Sequence, residues 1–310
     1  MPCFVLPLVL GAGLLVSGVA HADSGVPSGT SNPAPSNPDP SDKVSGEITP
    51  EALEALPSAD VVVLGEVHDN PDHHANQARA VAALRPKALV FEMLTPDQLA
   101  RLGEADRRDA QTLEAALDWQ QSGWPDFAMY WPIFAAAPEA RLFAGGVDRQ
   151  DARRAVKEGA ATFFGADAGR YGLDQPLAAP LQAELEAQQM QAHCNAMPAA
   201  MMPGMVEVQR LRDAALAGGA IQAMAETGGP VVVIAGSGHA RADLGVPAVL
   251  GRAAPELRVL SVGQLERGTM ENATGQSDVA APSEEAPPFD LWIASPAVAR
   301  EDPCLSLTGG

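Results

Sequence analysis

Short apolar runs alternate with segments of helical periodicity along most of this chain, and that alternation limits the folds open to it. The apolar runs lie at 61–64, 88–91, 142–147, 231–235, 257–262 and 291–294. Segments of helical periodicity lie between the first three of these runs, at 71–84, 96–103, 111–120 and 127–137. The pattern predicts an α/β fold with a mostly parallel sheet and helices on both faces.

The alternation stops at 149–227, where no strand-like run occurs. Helical patterns rich in Ala, Gln, Leu and Met lie there instead, at 176–192 and 200–226. We therefore expect a helical subdomain inserted between two strands of the sheet. A second irregular stretch, 266–288, is acidic and rich in Pro and Gly, and it is expected to be a surface loop.

The folded α/β domain is predicted to comprise 48–265 together with 289–304. Residues 1–22 have the features of a secretory signal, an uncharged apolar run that ends at the small-x-small site Ala20-His21-Ala22. The basic segment that usually precedes such a run is missing, and a retained membrane anchor of about 20 apolar residues is the alternative. Residues 23–47 are mostly Ser, Pro, Gly, Asn and Asp and are expected to form a disordered linker.

Signal cleavage would export the chain across the inner membrane to the periplasm and would leave two of its three cysteines, Cys194 and Cys304. An even pair in an exported protein predicts a disulfide, and the alternative is two unrelated thiols. A loop of this length is worth up to roughly 4–5 kcal/mol in the chain-entropy account. No cysteine follows the cleavage site, which argues against a lipid anchor.

The chain is strongly acidic, with a formal net charge of −19 at pH 7. Nucleic acids and anionic membrane surfaces attract basic proteins, so neither is expected as a partner. Solubility is enough to explain the acidity, and no further function is inferred from it.

Polar side chains follow several of the predicted strands. Glu66 and His68 end the first strand, Glu92 ends the second, and His239 follows the glycine-rich end of a later one. Parallel strands place their ligands in the crevice beyond their carboxyl ends, so the four side chains are expected to share one crevice. They suit a divalent metal, a metal-free acid/base pair acting on water, or the polar rim of a larger ligand. Hydrogen bonding to nearby loop backbone is the alternative for each of them.

The histidines His73 and His74 open the first helix, and adjacent helical residues face different directions. We expect His73 to face the crevice and His74 to be solvated. Under the metal hypothesis, His68, His73 and His239 would bind an ion such as Zn or Mn.

Aromatic residues are scarce in this chain but are concentrated at 124–134. We expect Phe127 and Phe134 to pack in the core, whereas Tyr130 and Trp131 either join them or line an apolar ligand pocket. A tyrosine phenolate is a known axial ligand for haem iron, and Tyr130 is the tyrosine in this region.

A second set lies further along the chain, where several methionines flank His193-Cys194. A methionine cluster is usually adaptable core packing, and the alternative is a soft apolar wall for a planar ligand. His193 is either a second ligand donor or a surface residue.

Taken together, these motifs match one protein family. The matching blocks are Leu64–His74, Phe91-Glu92-Met93, Trp124 to Tyr130 with Pro132, His193-Cys194 with Met197-Pro198, Gln209–Asp213, and Ala235–Arg241 with Gly245-Val246-Pro247. With these blocks in order over 55–265, the chain resembles the ChaN-like haem-binding uptake proteins. Their superfamily includes the Tiki proteins and the erythromycin esterases.

The resemblance implies an α/β domain with a helical subdomain in an exported bacterial protein linked to haem or iron acquisition. It implies haem held between two subunits of a homodimer with a tyrosine on the iron, and Tyr130 is the residue that matches by position. Relatives that are hydrolases act on lactone esters or as metal-dependent proteases. Their catalytic groups would map onto Glu66, His68, Glu92 and His239.

Two hypotheses follow. The first is a periplasmic haem-binding protein in which Tyr130 is the axial ligand, assisted by Trp131, His193 and the methionines at a dimer interface. The second is a hydrolase in which Glu66 or Glu92 activates water, while His68 and His239 bind a metal or polarise the carbonyl.

Overall fold

One parallel sheet forms the centre of the part of the chain that the structure, a computed structural model, describes: residues 45–103, 107–267, 286–300 and 304. The strands in this part are β1 (Gly46–Glu47), β2 (Val61–Glu66), β3 (Ala88–Phe91), β4 (Arg141–Ala144), β5 (Val231–Gly236), β6 (Val259–Arg267) and β7 (Leu291–Pro296). They lie in the order β1-β7-β6-β2-β5-β3-β4, and every neighbouring pair is parallel. The predicted α/β class and parallel sheet are confirmed.

Helices occupy most of the connections. The α-helices are α1 (Pro71–Leu84), α2 (Pro96–Leu102), α3 (Ala110–Ala116), α4 (Phe127–Ala136), α5 (Arg149–Glu158), α6 (Ala161–Phe164), α7 (Ala179–Ala192), α8 (Met202–Thr227), α9 (Ser237–Ala240) and α10 (Val246–Ala253). Short 3-10 helices lie at Pro50–Ala55, Trp119–Gln121, Gly165–Tyr171 and Ala199–Met201. The predicted helix 111–120 is divided because Asp118 adopts the left-handed conformation, with φ 50°.

Capping residues set where the first two α-helices begin. The side chain of Asn70 accepts a hydrogen bond from the backbone N–H of Asp72 at the start of α1, where Pro71 fixes the first turn. Thr95 and Gln98 form a reciprocal capping box at the start of α2. The observed bounds of both helices agree with the sequence-based prediction to within one residue.

The two faces of the sheet have separate hydrophobic cores, because successive strand residues point in opposite directions. On one face Val62 and Leu64 of β2 pack with residues of α1 and α4. On the other face Val61 and Val63 pack with residues of α8 and α10. Strand β2 is therefore buried along its whole length, as a central parallel strand should be.

The chain from α5 to the start of α8 forms the helical segment predicted between two strands. It has a small core of its own, which includes Ala155, Leu173 and Leu211. The second half of α8 is not part of a separate lid, because its residues Leu216 and Ala220 pack in the hydrophobic core of the sheet. The helical segment is thus joined to the sheet through one continuous helix.

Three sequence-based boundaries differ from the structure or fall outside it. The predicted disordered linker 23–47 is wrong at its end, because Gly46–Glu47 pair with β7 as a short edge strand. The predicted loop 266–288 begins too early, because Glu266 and Arg267 continue β6 beside β7. The predicted signal, 1–22, lies outside the described residues, as does most of the linker. Within the described ranges, no helix combines the length and apolar character needed to cross a membrane.

A disulfide joins Cys194, just after α7, to Cys304 in the C-terminal tail, with the two Cα atoms 5.4 Å apart. The predicted pairing is confirmed. The bond ties the last part of the chain to the helical segment across 110 positions of sequence.

Adjacent glycines on α8 allow a matched test of how closely this helix approaches the sheet. A Cβ at Gly219 would lie 3.1 Å from Val90 Cγ1 and against the carbonyl oxygen of Ala144, whereas a Cβ at Gly218 would meet only Tyr171, at 3.4 Å. We expect Gly219→Ala to lower the free energy of unfolding by about 1–3 kcal/mol through overpacking. We expect Gly218→Ala to raise it by about 0.5–1 kcal/mol through helix propensity. Urea denaturation of the two variants measures both, and equal effects would show that the helix can shift away from the strand.

Candidate functional site

The candidate site lies at the carboxyl ends of the three adjacent strands β2, β5 and β3. Parallel pairing places Glu66 level with Gly236 and Phe91 level with Ile234. The polar residues after these strands therefore emerge at one edge of the sheet. The structure brings Glu66, His68, Glu92 and His239 into one connected cluster, which we call the crevice cluster.

Glu92 lies at the centre of the crevice cluster and is only 6% exposed. Its Oε1 is 3.4 Å from His239 Nε2, and its Oε2 is 3.8 Å from His68 Nε2. The backbone N–H of Gly236 donates a hydrogen bond of 2.8 Å to Oε2. Burial alone would raise the pKa of Glu92, but the charge of His239, the hydrogen bond to it and the charge of His68 hold that pKa well below its usual range. Glu92 is therefore a buried carboxylate that stays charged.

His239 is fixed from its other side by α8. Its Nδ1 lies 2.7 Å from Asp213 Oδ1, and the Gln209 amide nitrogen lies 3.1 Å from the same ring atom. Burial lowers the pKa of His239, but the charges of Glu92 and Asp213 outweigh burial and raise it to about 10. Burial also raises the pKa of Asp213, against the opposing effect of His239. His239 is thus an imidazolium held between two carboxyl groups.

Glu66 contacts three other side chains, those of Tyr130, His68 and His74. Its Oε1 accepts hydrogen bonds from Tyr130 at 2.8 Å and from His68 Nδ1 at 2.7 Å. Its Oε2 faces His74 Nδ1 at 3.4 Å. Burial and the charge of Glu66 raise the pKa of Tyr130 well above its usual range, so this phenol keeps its proton.

The contact between Glu66 and His74 leaves two buried atoms without a hydrogen bond. His74 Nε2 lies 2.9 Å from the His68 carbonyl oxygen, which can only accept, so Nε2 carries a hydrogen. The facing atoms, His74 Nδ1 and Glu66 Oε2, are buried without a hydrogen-bond partner in the described part of the chain.

His68 is the histidine of the cluster that reaches solvent, with 34% of its side chain exposed. Its ring packs against Trp124, with the ring centres 4.8 Å apart. Burial lowers the pKa of His68, but the hydrogen bond to Glu66 and the charge of Glu92 outweigh burial and raise it above 6.5. A Cβ at Gly236 would lie 2.9 Å from His68 Nε2, so only glycine at this position leaves the ring its place.

The loop that carries His68 is held by the C-terminal tail. The Arg300 guanidinium pairs with Asp69 at 2.6 and 2.7 Å and with Glu266 at 2.6 and 2.7 Å. Asn70, the residue that caps α1, also donates to Glu266, at 2.6 Å. One guanidinium thus links the tail, β6 and the loop beside His68.

The predicted roles of His73 and His74 are reversed in the structure. His74 is buried against Glu66 and Tyr130, so its predicted solvation is wrong. His73 faces away from the cluster, where its Nδ1 accepts a 2.8 Å hydrogen bond from the backbone N–H of Val67. Burial lowers the pKa of His73 to about 4, so this ring is neutral at pH 7. The helix turns its second histidine inward because Asn70 fixes where α1 begins.

The predicted metal set of His68, His73 and His239 is not assembled, because His73 is engaged with Val67. Among the described residues, no three His, Cys, Asp or Glu side chains converge as metal ligands. Phe127 and Phe134 pack in the core as predicted.

Two further candidates lie apart from the crevice cluster. Trp131 is half-buried against the core beside Phe127. His193 ends α7, with Nδ1 bonded to the carbonyl of Gln189 at 2.8 Å.

Sequence reasoning missed Asp213 and Gln209 as site residues. Both lie in the block Gln209–Asp213, which matched the family but contains no histidine and follows no strand. Their position facing His239 comes from the packing of α8 on the sheet, which local sequence patterns do not specify. The one signal available in the sequence was a single acidic residue among the apolar residues Ala214, Leu216 and Ala217. In the structure Asp213 is 5% exposed.

A cavity of about 400 Å³ lies elsewhere, beside the edge strand β4 and between α2 and α8. Its walls include Leu99, Phe143 and Ala215, with Arg141 and Glu226 among the polar residues. None of the sequence-predicted site residues lines this cavity. The predicted catalytic residues lie in the crevice cluster instead.

The arrangement of the crevice cluster suits proton transfer. Each imidazole has Nδ1 on one carboxyl group, Glu66 or Asp213, and turns Nε2 toward Glu92. A carboxylate at Nδ1 fixes the orientation of the ring and supports proton transfer or ligand binding at Nε2. His68 is the more exposed of the two rings, with 34% of its side chain exposed.

The sequence model of one family, described as haem-binding uptake, Tiki superfamily, ChaN, matches residues 52–250. No curated protein matches the sequence significantly. The fold is similar to that of ChaN of Campylobacter jejuni, a solved structure described by its cofacial haem binding, with a TM-score of 0.54 and 19% identity. That similarity covers 69% of this chain and 83% of the other. The type III effector HopBA1 is more distant, with a TM-score of 0.38 and 14% identity over 76% of this chain and 88% of the other.

The charge of His239 is directly measurable. Its pKa of about 10 exceeds the ordinary value of 6.5. Protonation of His239 therefore stabilises the fold fully below pH 6.5, and this contribution is lost as the pH rises toward 10. We expect its ring proton resonances in NMR to stay at the imidazolium position from pH 6 to 8, and the urea midpoint to fall above pH 8. His239→Gln assigns the resonance, and titration of His239 near pH 6.5 would contradict the assignment of charge.

Proposed function

Because the chain belongs to the ChaN family of haem-binding uptake proteins within the Tiki superfamily, we propose that it binds haem and takes part in haem or iron uptake. The observation that carries this proposal is the family match over 52–250. That range contains every residue of the crevice cluster, as well as Tyr130 and Asp213.

The residues at the mouth of the crevice fit a haem iron and its flat ring. His68 has Nδ1 bonded to Glu66, which is the arrangement that imidazole ligands of metals usually have, and it is the more exposed ring of the cluster. Trp124 packs beside it and offers an aromatic surface to a planar ligand. Bound haem would supply the iron centre, and His68 would hold it from the protein side.

Tyr130 is the ligand that the family resemblance implies, and it stays a second proposal for the same iron. Its hydroxyl is buried and donates to Glu66, whereas a ligand to ferric haem is a phenolate. Tyr130 would therefore bind iron only after leaving Glu66 and losing its proton.

We also propose His193 and Trp131 as further haem contacts in a homodimer that shares haem, as the resemblance implies. The proposed site of action is the periplasm. The Cys194–Cys304 bond supports export, because disulfides persist mainly in oxidising compartments.

Titration of the purified protein with hemin tests the proposal and separates the two iron ligands. We expect a saturable shift of the Soret band in the wild type, because an imidazole or phenolate then replaces water on the iron. If His68 is the ligand, His68→Ala loses the shifted band and Tyr130→Phe keeps it, and the reverse holds if Tyr130 is the ligand. Tyr171→Phe is the control, since Tyr171 is the other tyrosine of the chain.

Absence of a saturable Soret shift in the wild type would overturn the haem proposal. Sedimentation of the loaded protein measures whether haem is shared between two chains. Loss of dimers in His193→Ala would support the proposed role of His193 at that interface.

Hydrolysis is a second candidate function. The two histidines beside Glu92 favour it. Two imidazoles, each oriented by its own carboxyl group, converge on one buried carboxylate. In a hydrolase the neutral form of His68 would accept a proton from water at Nε2, and Glu66 would stabilise the imidazolium that forms. The charged His239 would stabilise negative charge developing in the ester or amide substrate.

Hydrolysis of p-nitrophenyl acetate tests this second function. Removing a positioned acid or base typically lowers kcat by about 10²–10⁴-fold. We therefore expect wild-type activity above buffer to be lost in His68→Ala and retained in His73→Gln, whose ring faces away from the cluster. Equal activity in the wild type and in His68→Ala would rule out hydrolysis at the crevice cluster.

A further inference from the structure

Helix α5 has three exposed cations without a carboxylate partner. Arg149, Arg153 and Lys157 are all exposed, and among the described residues their one hydrogen bond is that of Arg149 to the Ser122 carbonyl, at 3.0 Å. Arg154 on the same helix is different, because it pairs with Asp151 at 3.4 Å and with Glu158 at 3.0 Å. An unpaired basic stripe is unexpected in a chain with a net charge of −19.

Helix stability does not account for this stripe. The three cations are four residues apart, so they are neighbours on one side of the helix, and each such pair of like charges destabilises it by about 0.2–0.5 kcal/mol. Arg149 is also the first residue of α5, where the helix dipole disfavours a positive charge. Lys157 is favourably placed in the last turn of α5, and Arg149 gains one hydrogen bond. Among the described residues, however, no carboxylate neutralises the three cations, and this points to a binding role.

The stripe begins at the mouth of the crevice. Arg149 contacts Ser122, and its guanidinium occupies the space into which a Cβ at Gly123 would project. The next residue, Trp124, packs on the exposed ring of His68. From Arg149 to Lys157 the stripe extends over about 12 Å of helix, at 1.5 Å per residue.

We propose that this basic face of α5 binds the carboxylate groups of the ligand that enters the crevice. Haem has two propionate side chains on one edge of its ring. With the ring placed beside Trp124 and His68, one propionate would lie nearest Arg149, which contacts Ser122 and Gly123, and Arg153, one turn along the same face, would take the second. Guanidinium groups bind carboxylates through charge-assisted, paired hydrogen bonds, and residues four apart on a helix are about 6 Å apart, which suits two carboxylates on one edge. This assignment rests on the proposed function and deepens it, since it names the groups that recognise the acidic edge.

The test compares hemin with hemin dimethyl ester, whose propionates are capped, in the wild type and in Arg149→Gln and Arg153→Gln. We expect each substitution to weaken hemin binding about fivefold, as removing an exposed charge pair would, and to leave binding of the ester unchanged. The Soret position should not move, because the iron ligand is not altered. Arg154→Gln removes the same charge from the same helix and is expected to bind hemin as the wild type does.

The outcomes distinguish this inference from the proposed function. If the wild type binds hemin and the two variants bind it equally well, the basic face has no role and the haem proposal stands. If the variants lose hemin and the dimethyl ester to the same extent, the basic face does not act through the carboxylates of haem, and this inference fails. If the wild type binds no hemin, the proposed function and this inference both fail.

Discussion

The buried charge of Glu92 is the constraint on which the crevice depends. An unpaired carboxylate in a protein interior costs several kcal/mol, and this one is compensated by His68, by His239 and by the backbone N–H of Gly236. These three partners come from two different strand ends, and Glu92 itself follows a third. The sheet therefore reaches a low-energy arrangement only when all three strand ends are in register. The polar contacts of Glu92 therefore depend on the parallel pairing of β2, β5 and β3.

Acidic and imidazole groups alternate through the cluster, from Glu66 through His68, Glu92 and His239 to Asp213. Each imidazole lies between two carboxyl groups. The series also crosses the sheet edge from one helical layer to the other. Glu66 is held by Tyr130 of α4 on one face, and His239 is held by Asp213 of α8 on the other. The two helical layers thus hold opposite ends of the same series.

How much could be predicted from the sequence depended on whether the signal was local. Apolar runs and capping residues are local signals, so β2, α1 and α2 were predicted closely, and polar residues after strands located Glu66, Glu92 and His239. Asp213 reaches His239 through the packing of α8, a long-range contact that helical periodicity does not encode. The orientation of His74 depends on where Asn70 caps α1, and a shift of one residue there exchanges the roles of His73 and His74. Strand β1 was missed because two residues are too short a pattern to detect.

Helix α8 has a mechanical consequence for the charge of the site. Its 26 residues form a rod of about 39 Å at 1.5 Å per residue. One end lies in the helical segment, and the other is embedded in the sheet core through Leu216 and Ala220. Asp213 lies between Leu211, which packs in the core of the helical segment, and Leu216, which packs in the core of the sheet. The contact of Asp213 with His239 therefore depends on both cores at once, so a substitution in the helical segment can reach the charge of the site without touching the crevice.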